Sequence, residues 1–271
     1  VFWRKFEVGN GSKEPLSRPT NEVIVERRSS GYQFTKLDTL QGTLTPLRTS
    51  YDVGFYHLDV EVFPKEEIIK GSNLIRFKVM ESIDRIQIDL FSGLEIDKIV
   101  WHGESLNFER EYNAVYVDFP KTLAEGSIDE IKVFYSGRPV DYDPNIPMYA
   151  SFLWLEDDAG EPWLQAICQG YGASGWWPNK DHLSDEPDSA RVSVTVPKAL
   201  DVVSNGRLIS KKEPANDKIR FDWAVSYPIN NYNVTFNIGK YKRASDVYDN
   251  GVSKLDLEYY LLEENDTDIS V

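Results

Sequence analysis

The sequence has very few of the residues that most often carry metal or redox chemistry. It contains one cysteine, Cys168, and three histidines, His57, His102 and His182. A single cysteine excludes an intrachain disulfide. No two histidines stand in the H-E-x-x-H spacing, so this chain cannot assemble a zinc-peptidase site of that type by itself. We therefore expect no metal ion or other cofactor in this chain.

A long apolar run and a basic surface are also missing. No segment is apolar over the length of a membrane span. The 44 acidic residues outnumber the 30 basic residues, which gives a formal net charge of −14. Because phosphate groups are bound by basic surfaces, this balance disfavours nucleic acid and anionic membranes as partners. We expect no membrane span and no nucleic-acid partner, and we favour a periplasmic or extracellular location over a cytoplasmic one.

What the sequence does contain is apolar alternation with a period of two. The 41% of hydrophobic residues suffice for a sizeable core. Tyr56, Leu58, Val60 and Val62 alternate with polar residues, and no window of twelve or more residues keeps a helical period. The same pattern recurs at 75–79, 86–90, 115–119, 131–135, 164–168, 192–196, 221–225, 234–238 and 255–261. It predicts an all-β fold, a saddle-like antiparallel β-sandwich of several sheets.

Turn signals and composition divide the chain. Residues 1–50 are polar and weakly patterned and form a predicted N-terminal extension, partly strand and partly mobile arm. Residues 51–242 form the predicted β domain, and 243–271 a boundary segment. Residues 139–162 break the alternation and predict a long excursion with a hairpin near Asp158–Gly160. Predicted turns lie at Lys70-Gly71, His102-Gly103, Ser136-Gly137, Asn205-Gly206 and Asn216-Asp217.

The stretch 163–191 is the least typical of a β protein, since it combines a Gly-rich run with three tryptophans and several carboxylates. Gly170 and Gly172 allow a positive φ or a close approach of the backbone to another group. Gln169 offers a carbonyl acceptor that can hold an ammonium group. From the residues alone, the favoured interpretation of Gln169 is a loop residue that satisfies backbone groups.

The rest of this stretch has a structural and a functional interpretation. Trp176, Trp177 and Pro178 predict an anchor between loop and core, or else a flat platform for carbohydrate. Asp181 and His182 stand with Asp185 and Glu186 in a possible metal cluster, but the spacing matches no known site, which favours a turn built by Asp185, Glu186 and Pro187.

The remaining reactive side chains favour inert roles. Cys168 follows an apolar run and predicts a buried thiol without a histidine partner. His57 falls on the polar face of a strand and His102 in a turn, so both are expected to be solvated.

Three blocks of the sequence resemble the N-terminal domain of the M1 family of zinc aminopeptidases. The first is C-Q-G-Y-G-A-S-G-W-W-P-N-K-D-H-L-S-D-E-P-D-S-A-R-V-S-V-T-V-P, from Cys168 to Pro197. The others are S-N-G-R-L at Ser204–Leu208 and Y-P-I-N-N-Y-N-V-T-F-N-I-G-K-Y at Tyr227–Tyr241. The resemblance covers about Tyr51 to Tyr241. It departs from the family pattern at Ile167, where the family has Gln.

The resemblance implies a non-catalytic β domain that packs on a catalytic domain absent from this chain. The zinc ion would belong to that domain. Gln169 stands where the family has a Glu or Gln that binds the substrate α-amine, so the implied partners are the protein's own catalytic domain and peptide N-termini. The rival hypothesis is a β-sandwich scaffold or binding module of a catalytically inactive M1 homologue.

Overall fold

The computed structural model describes residues 35–141, 150–168 and 170–263. The described chain is almost entirely β, which confirms the predicted all-β class. Its elements are helices α1 (Lys36–Gly42) and α2 (Pro46–Thr49) and strands β1 (Tyr51–Phe63), β2 (Ile68–Val79), β3 (Ile83–Asp89), β4 (Leu94–Trp101), β5 (Glu104–Glu111), β6 (Ala114–Leu123), β7 (Ile128–Gly137), β8 (Phe152–Glu156), β9 (Pro162–Ala166), β10 (Ser189–Pro197), β11 (Asp201–Ser204), β12 (Arg207–Ala215), β13 (Lys218–Val225), β14 (Phe236–Gly239), β15 (Tyr241–Asp249) and β16 (Lys254–Leu262).

The described strands form three sheets. The largest has ten strands in the order β12-β13-β10-β1-β2-β7-β4-β5-β6-β3, the second has four in the order β11-β14-β9-β8, and β15 pairs with β16. The pair β1–β10 is parallel, so the large sheet is mixed rather than purely antiparallel as predicted. A parallel pair cannot be joined by a tight turn, and here residues 64–188 separate the two strands along the chain.

The core lies between the large sheet and the four-stranded sheet. Leu58, Val60 and Val62 of β1 face it as the alternation predicts, and each is at most 1% exposed. Aromatic edge contacts join the layers: Tyr56 meets Trp177 at 4.8 Å between ring centroids, and Trp176 meets Phe236 at 5.2 Å. These pairs are favourable beyond their buried area. The tryptophans therefore lie inside the sandwich.

The segment 36–50 belongs to the same compact unit as the strands that follow it. Two short helices replace the predicted strand and mobile arm there, and α2 packs against β3. Arg48 at the end of α2 is fully buried. The local sequence pattern does not predict the burial of Arg48. The buried residue of α2 is a charged one, and the segment has no apolar stripe that would indicate a packed helix. Residues 1–34 of the predicted extension lie outside the described residues.

The predicted turn at Lys70-Gly71 is wrong, because both residues lie within β2. Gly71 pairs with Val60 of β1, and a Cβ at position 71 would clash with the Asp59 carbonyl. This glycine serves a close approach of two strands. The turn at His102-Gly103 is found between β4 and β5, with positive φ at both residues. The hairpin near Asp158–Gly160 is also found, between β8 and β9.

Among the described residues, no helix has the length and apolar character needed to span a membrane.

Candidate functional site

The Gly-rich loop, Gly170–Gly175, follows the short strand β9 and is fixed by partners from several elements. The Gly172 amide donates to the Cys168 carbonyl at 2.9 Å. Ser151 Oγ donates to the Gly172 carbonyl at 3.2 Å. The Ser174 carbonyl accepts from the Phe91 amide at 2.8 Å, which ties the loop to the end of β3. Hydrogen bonds from several elements therefore fix the backbone of this loop.

Tyr171 adds two further anchors within this loop. Its carbonyl accepts a hydrogen bond from Gln41 Nε2 of α1 at 3.2 Å, and its hydroxyl accepts one from Asn113 Nδ2 at 2.6 Å. Its ring meets Phe91 edge-on at 5.8 Å between centroids. The helical segment before β1 thus contributes directly to the loop.

Asp181 fixes the far end of the loop. One carboxylate oxygen, Oδ2, accepts from the Ser174 amide at 3.0 Å and from Ser174 Oγ at 2.6 Å. Gly172 has φ +105°, and a Cβ there would lie 2.5 Å from that same oxygen. Glycine at 172 therefore serves both an unusual backbone angle and the close approach of a carboxylate.

A buried ion pair lies directly behind Asp181. Arg48 Nη2 is 2.5 Å from Asp89 Oδ1, and both side chains are at most 1% exposed. Asp89 Oδ2 accepts the Asp181 amide at 3.1 Å, and Gln87 Nε2 donates to Asp89 Oδ1 at 3.1 Å. Burial raises the pKa of Asp89 to about 6, although Arg48 opposes the shift. The pair is costly to disrupt, because either partner alone would be a buried charge.

A second buried pair fixes the segment after the tryptophans. Lys180 Nζ lies 2.5 Å from Asp185 Oδ2 and donates to the Tyr51 carbonyl at 2.6 Å. Burial raises the pKa of Asp185 despite the attraction of Lys180. Asp185 Oδ2 also accepts the Val53 amide at 3.3 Å, a contact of the backbone-capping kind expected from the sequence. Asn231 Nδ2 donates to the Lys180 carbonyl at 2.9 Å, which joins the Tyr227–Tyr241 block to this segment.

The other predicted site residues are divided between the core and the surface. Trp176 and Trp177 are fully buried, which excludes a flat carbohydrate platform on these rings. The Pro178 carbonyl accepts from Asn73 Nδ2 at 2.8 Å, and the Pro187 carbonyl accepts from the Ile229 amide at 3.1 Å. Gly170 and Glu186 are exposed. Gln169, the predicted amine ligand, lies outside the described residues.

Cys168 has no nucleophilic character in this setting. The thiol is 3% exposed and accepts a hydrogen bond from Trp176 Nε1 at 3.1 Å. Burial raises the pKa of Cys168 to about 12. The thiolate that would act as a nucleophile is therefore scarce at neutral pH.

No group of three or more His, Cys, Asp or Glu side chains in the described part of the chain is arranged to bind a metal ion. His102 contacts Asp129 at 2.9 Å, and His182 contacts Ser184 at 2.8 Å.

A serine, a histidine and an aspartate do meet on the polar face of the large sheet. His57 Nε2 lies 3.1 Å from Ser193 Oγ, and Ser193 Oγ donates to Asp222 at 2.6 Å. This arrangement does not suit nucleophilic catalysis, because the serine, rather than the histidine, lies between the other two residues. Ser193 is also fully buried. His57 is half-buried here, not solvated as the sequence predicts.

A separate groove of about 520 Å³ lies at the other end of β9. Its lining includes Phe63, Pro64, Pro162, Pro197 and Leu200. No residue from 168 to 187 lines this groove.

Sequence reasoning missed the charged residues that hold the site, above all Arg48, Asp89 and Lys180. Arg48 stands in a weakly patterned segment, and Asp89 looks like an ordinary polar residue on an alternating strand. The one usable signal was at Lys180, where a lysine directly follows Trp-Trp-Pro-Asn, residues that the anchoring interpretation places in the core.

Comparison with known proteins places this fold among the M1 zinc metallopeptidases. The enzyme from Deinococcus radiodurans matches with a TM-score of 0.69 and 22% identity, over 79% of this chain and 48% of that chain. A variant of it bound to a Tyr-Ser-Ala substrate gives a TM-score of 0.66 and 24% identity, over 77% and 47%. A two-domain M1 variant bound to L-arginine gives a TM-score of 0.68 and 22% identity, over 79% and 48%.

The chain thus spans about half the length of these structures. The resemblance predicted from the three sequence blocks is confirmed at the level of the fold. No protein-family model matches the chain, and no curated protein matches it.

Proposed function

We propose that this chain is the non-catalytic N-terminal domain of a zinc metallo-aminopeptidase, an enzyme that removes N-terminal residues from peptides. One observation carries the proposal: M1 zinc metallopeptidases share this fold over 77–79% of the chain, yet the chain spans only 47–48% of them. The other half would hold the zinc ion and pack against this domain. No catalytic step is assigned to the residues of this chain.

In this proposal the domain supplies one wall of the substrate site. Gln169, with the backbone of Gly170 and Gly172, helps to bind the substrate α-amine, since grouped acceptors recognise an ammonium group. The hydrogen bonds at Gly172 and Ser174 support such a role, because a preorganised site loses little entropy on binding. Two of the structural neighbours hold a Tyr-Ser-Ala substrate or L-arginine, and both ligands are amine-bearing.

The test is an assay of the full-length protein, encoded by the complete reading frame, with L-arginine p-nitroanilide. We expect hydrolysis by the full-length protein and none by residues 1–271 alone. Gln169→Ala should raise KM on the order of tenfold, as expected for the loss of a charge-assisted hydrogen bond. The matched control is Asn216→Ala, which removes an exposed amide at the β12–β13 turn.

Hydrolysis by the purified 271-residue chain would refute the proposal. A reading frame without H-E-x-x-H, or an inert full-length protein, would support the rival hypothesis of a scaffold or binding module of a catalytically inactive M1 homologue.

A further inference from the structure

A row of basic side chains crosses the polar outer face of the large sheet. Residues paired across neighbouring strands share one side of a sheet, so the strand register defines the row. From β12 to β7 its members are Arg207, Ala224, Arg191, His57, Leu74 and Lys132. We name Arg207, Arg191, His57 and Lys132 the basic stripe. Because neighbouring strands lie about 4.8 Å apart, the stripe extends roughly 24 Å across the sheet.

The basic stripe is only partly neutralised by the acidic residues around it. In the described part of the chain, neither Arg207 nor Lys132 forms an ion pair with a carboxylate. Arg191 Nη2 lies 4.0 Å from Asp222 Oδ2, and Arg191 Nε is buried without a hydrogen-bond partner among the described residues. Asp222 already accepts hydrogen bonds from Ser193, Ser210 and Arg220. Because that carboxylate is bound by other groups, the stripe keeps a net positive charge.

His57 lies in the positive field of this stripe. Burial lowers the pKa of His57, and although Asp59 opposes the shift, Arg191 and Lys132 add to it. The imidazole is therefore neutral at pH 7, and the arginines and the lysine supply the charge. The chain as a whole has a formal net charge of −14, so this row differs in sign from the protein that carries it. Such a local excess of charge attracts ligands of the opposite sign.

A second lysine adds to the positive charge at the Lys132 end of the stripe. Lys98 Nζ lies 4.8 Å from the centre of the Phe134 ring, and Lys132 Nζ lies 5.2 Å from it. Lys98 is exposed and has no ion pair with any described carboxylate. Because both ammonium groups contact one ring, a carboxylate bound there would meet two cations.

We propose that the basic stripe binds a short, extended acidic segment of a partner protein. An extended chain rises about 3.3 Å per residue, so about seven residues would follow the whole stripe. A long nucleic acid or an anionic membrane would continue past the stripe over a protein of net charge −14, whereas a short acidic segment keeps its charge on the stripe. This interaction does not rest on the proposed function, since it uses neither the Gly-rich loop nor a catalytic domain.

The test is the binding of fluorescein-labelled oligoglutamate to the 271-residue chain, followed by fluorescence anisotropy. We expect binding that weakens as the salt concentration rises, because exposed charges are screened. Arg207→Glu combined with Lys132→Glu should raise Kd on the order of tenfold at physiological salt, since two attractive pairs become repulsive. Arg207→Gln combined with Lys132→Gln should raise Kd less, and it tests the same surface if charge reversal impairs folding.

The matched control is Lys65→Glu combined with Lys121→Glu. Both lysines are exposed and lie outside the stripe, so this variant has the same change in net charge and should leave Kd nearly unchanged. Equal losses in the two charge-reversal variants, or no binding by the wild-type chain, would overturn the proposal. Tighter binding of oligothymidylate or of phosphatidylserine vesicles would overturn the choice of partner. So would loss of self-association on charge reversal without any binding of oligoglutamate, which would assign the stripe to contacts between copies of this chain.

Discussion

At the scale of residues, buried charged side chains help to fix the segment 168–187 in place. Arg48–Asp89 and Lys180–Asp185 are both ion pairs inside the protein, and every side chain involved is at most 5% exposed. Breaking such a pair costs about 3–5 kcal/mol, because it leaves an uncompensated charge. The geometry of the loop therefore depends on charge pairing as well as on apolar packing.

Asp222 is the residue whose charge should be most visible in the pH dependence of stability. Burial by itself would raise the pKa of Asp222, but hydrogen bonds from Ser193, Ser210 and Arg220 outweigh it and lower the pKa well below its usual range. The folded state therefore favours the ionised form, so the stabilisation is present above the unfolded pKa of about 4 and is lost as the pH falls. Asp222→Asn should lower the free energy of unfolding by about 2 kcal/mol at pH 7.

Urea unfolding across the acidic range checks this prediction. The difference between wild type and Asp222→Asn should shrink as the pH falls below about 4, where the unfolded wild-type carboxyl is protonated. The control is Asp158→Asn in the exposed β8–β9 turn, which should change stability little at any pH. A difference that stays constant with pH would show that the ionised form of Asp222 is not what the fold stabilises.

At the scale of elements, a glycine in the sequence indicates that a special backbone angle or a close contact is needed. Only the structure shows which of these applies and which group makes the contact. The sequence predicted that Gly172 allows a positive φ or a close backbone approach, and the structure shows both, with Asp181 as the approaching group. Gly71 was predicted to lie in a turn, but it lies within β2. A glycine reports that space or a backbone angle is needed, and it does not identify the neighbour that needs it.

Gly172→Ala should destabilise the protein more than Gly160→Ala, because Gly172 combines φ 105° and ψ 168°, a region essentially restricted to glycine, with a steric clash. Both glycines have positive φ, but a Cβ at 160 would meet nothing within 4 Å, whereas a Cβ at 172 would lie 2.5 Å from Asp181. We expect Gly160→Ala to cost about 1 kcal/mol from the backbone angle alone and Gly172→Ala distinctly more. Equal losses of thermal stability in the two variants would contradict this prediction.

At the scale of the whole molecule, the hairpin β15–β16 has one apolar face without a covering layer among the described residues. The register places Tyr248 opposite Leu255, Asp246 opposite Leu257 and Ala244 opposite Tyr259. Tyr248 is 57% exposed and Leu255 is 58% exposed. A two-stranded ribbon is marginally stable by itself, so a partner that covers this hairpin face would stabilise it.

We expect the 271-residue chain to self-associate with rising concentration through this hairpin face. Sedimentation velocity should show a monomer at low concentration and larger species at high concentration. Replacing Leu255 and Tyr259 by Ser should shift the chain toward monomer. Val247→Ser is the matched control, since Val247 is 49% exposed but points to the other face, opposite Asp256. A wild-type chain that stays monomeric at high concentration would contradict the prediction.

The sequence by itself determined the all-β class, most strand positions and the loop around Gly170 to Pro187, because alternation and turn chemistry are local properties. It also excluded a disulfide and an H-E-x-x-H site, because these follow from counting and spacing. Only the tertiary structure decided the parallel pairing of β1 with β10 and the burial of Arg48 against Asp89, 41 residues apart. Such contacts join residues distant in the chain, and a local pattern shows that a side chain is polar or buried but not which distant group it meets.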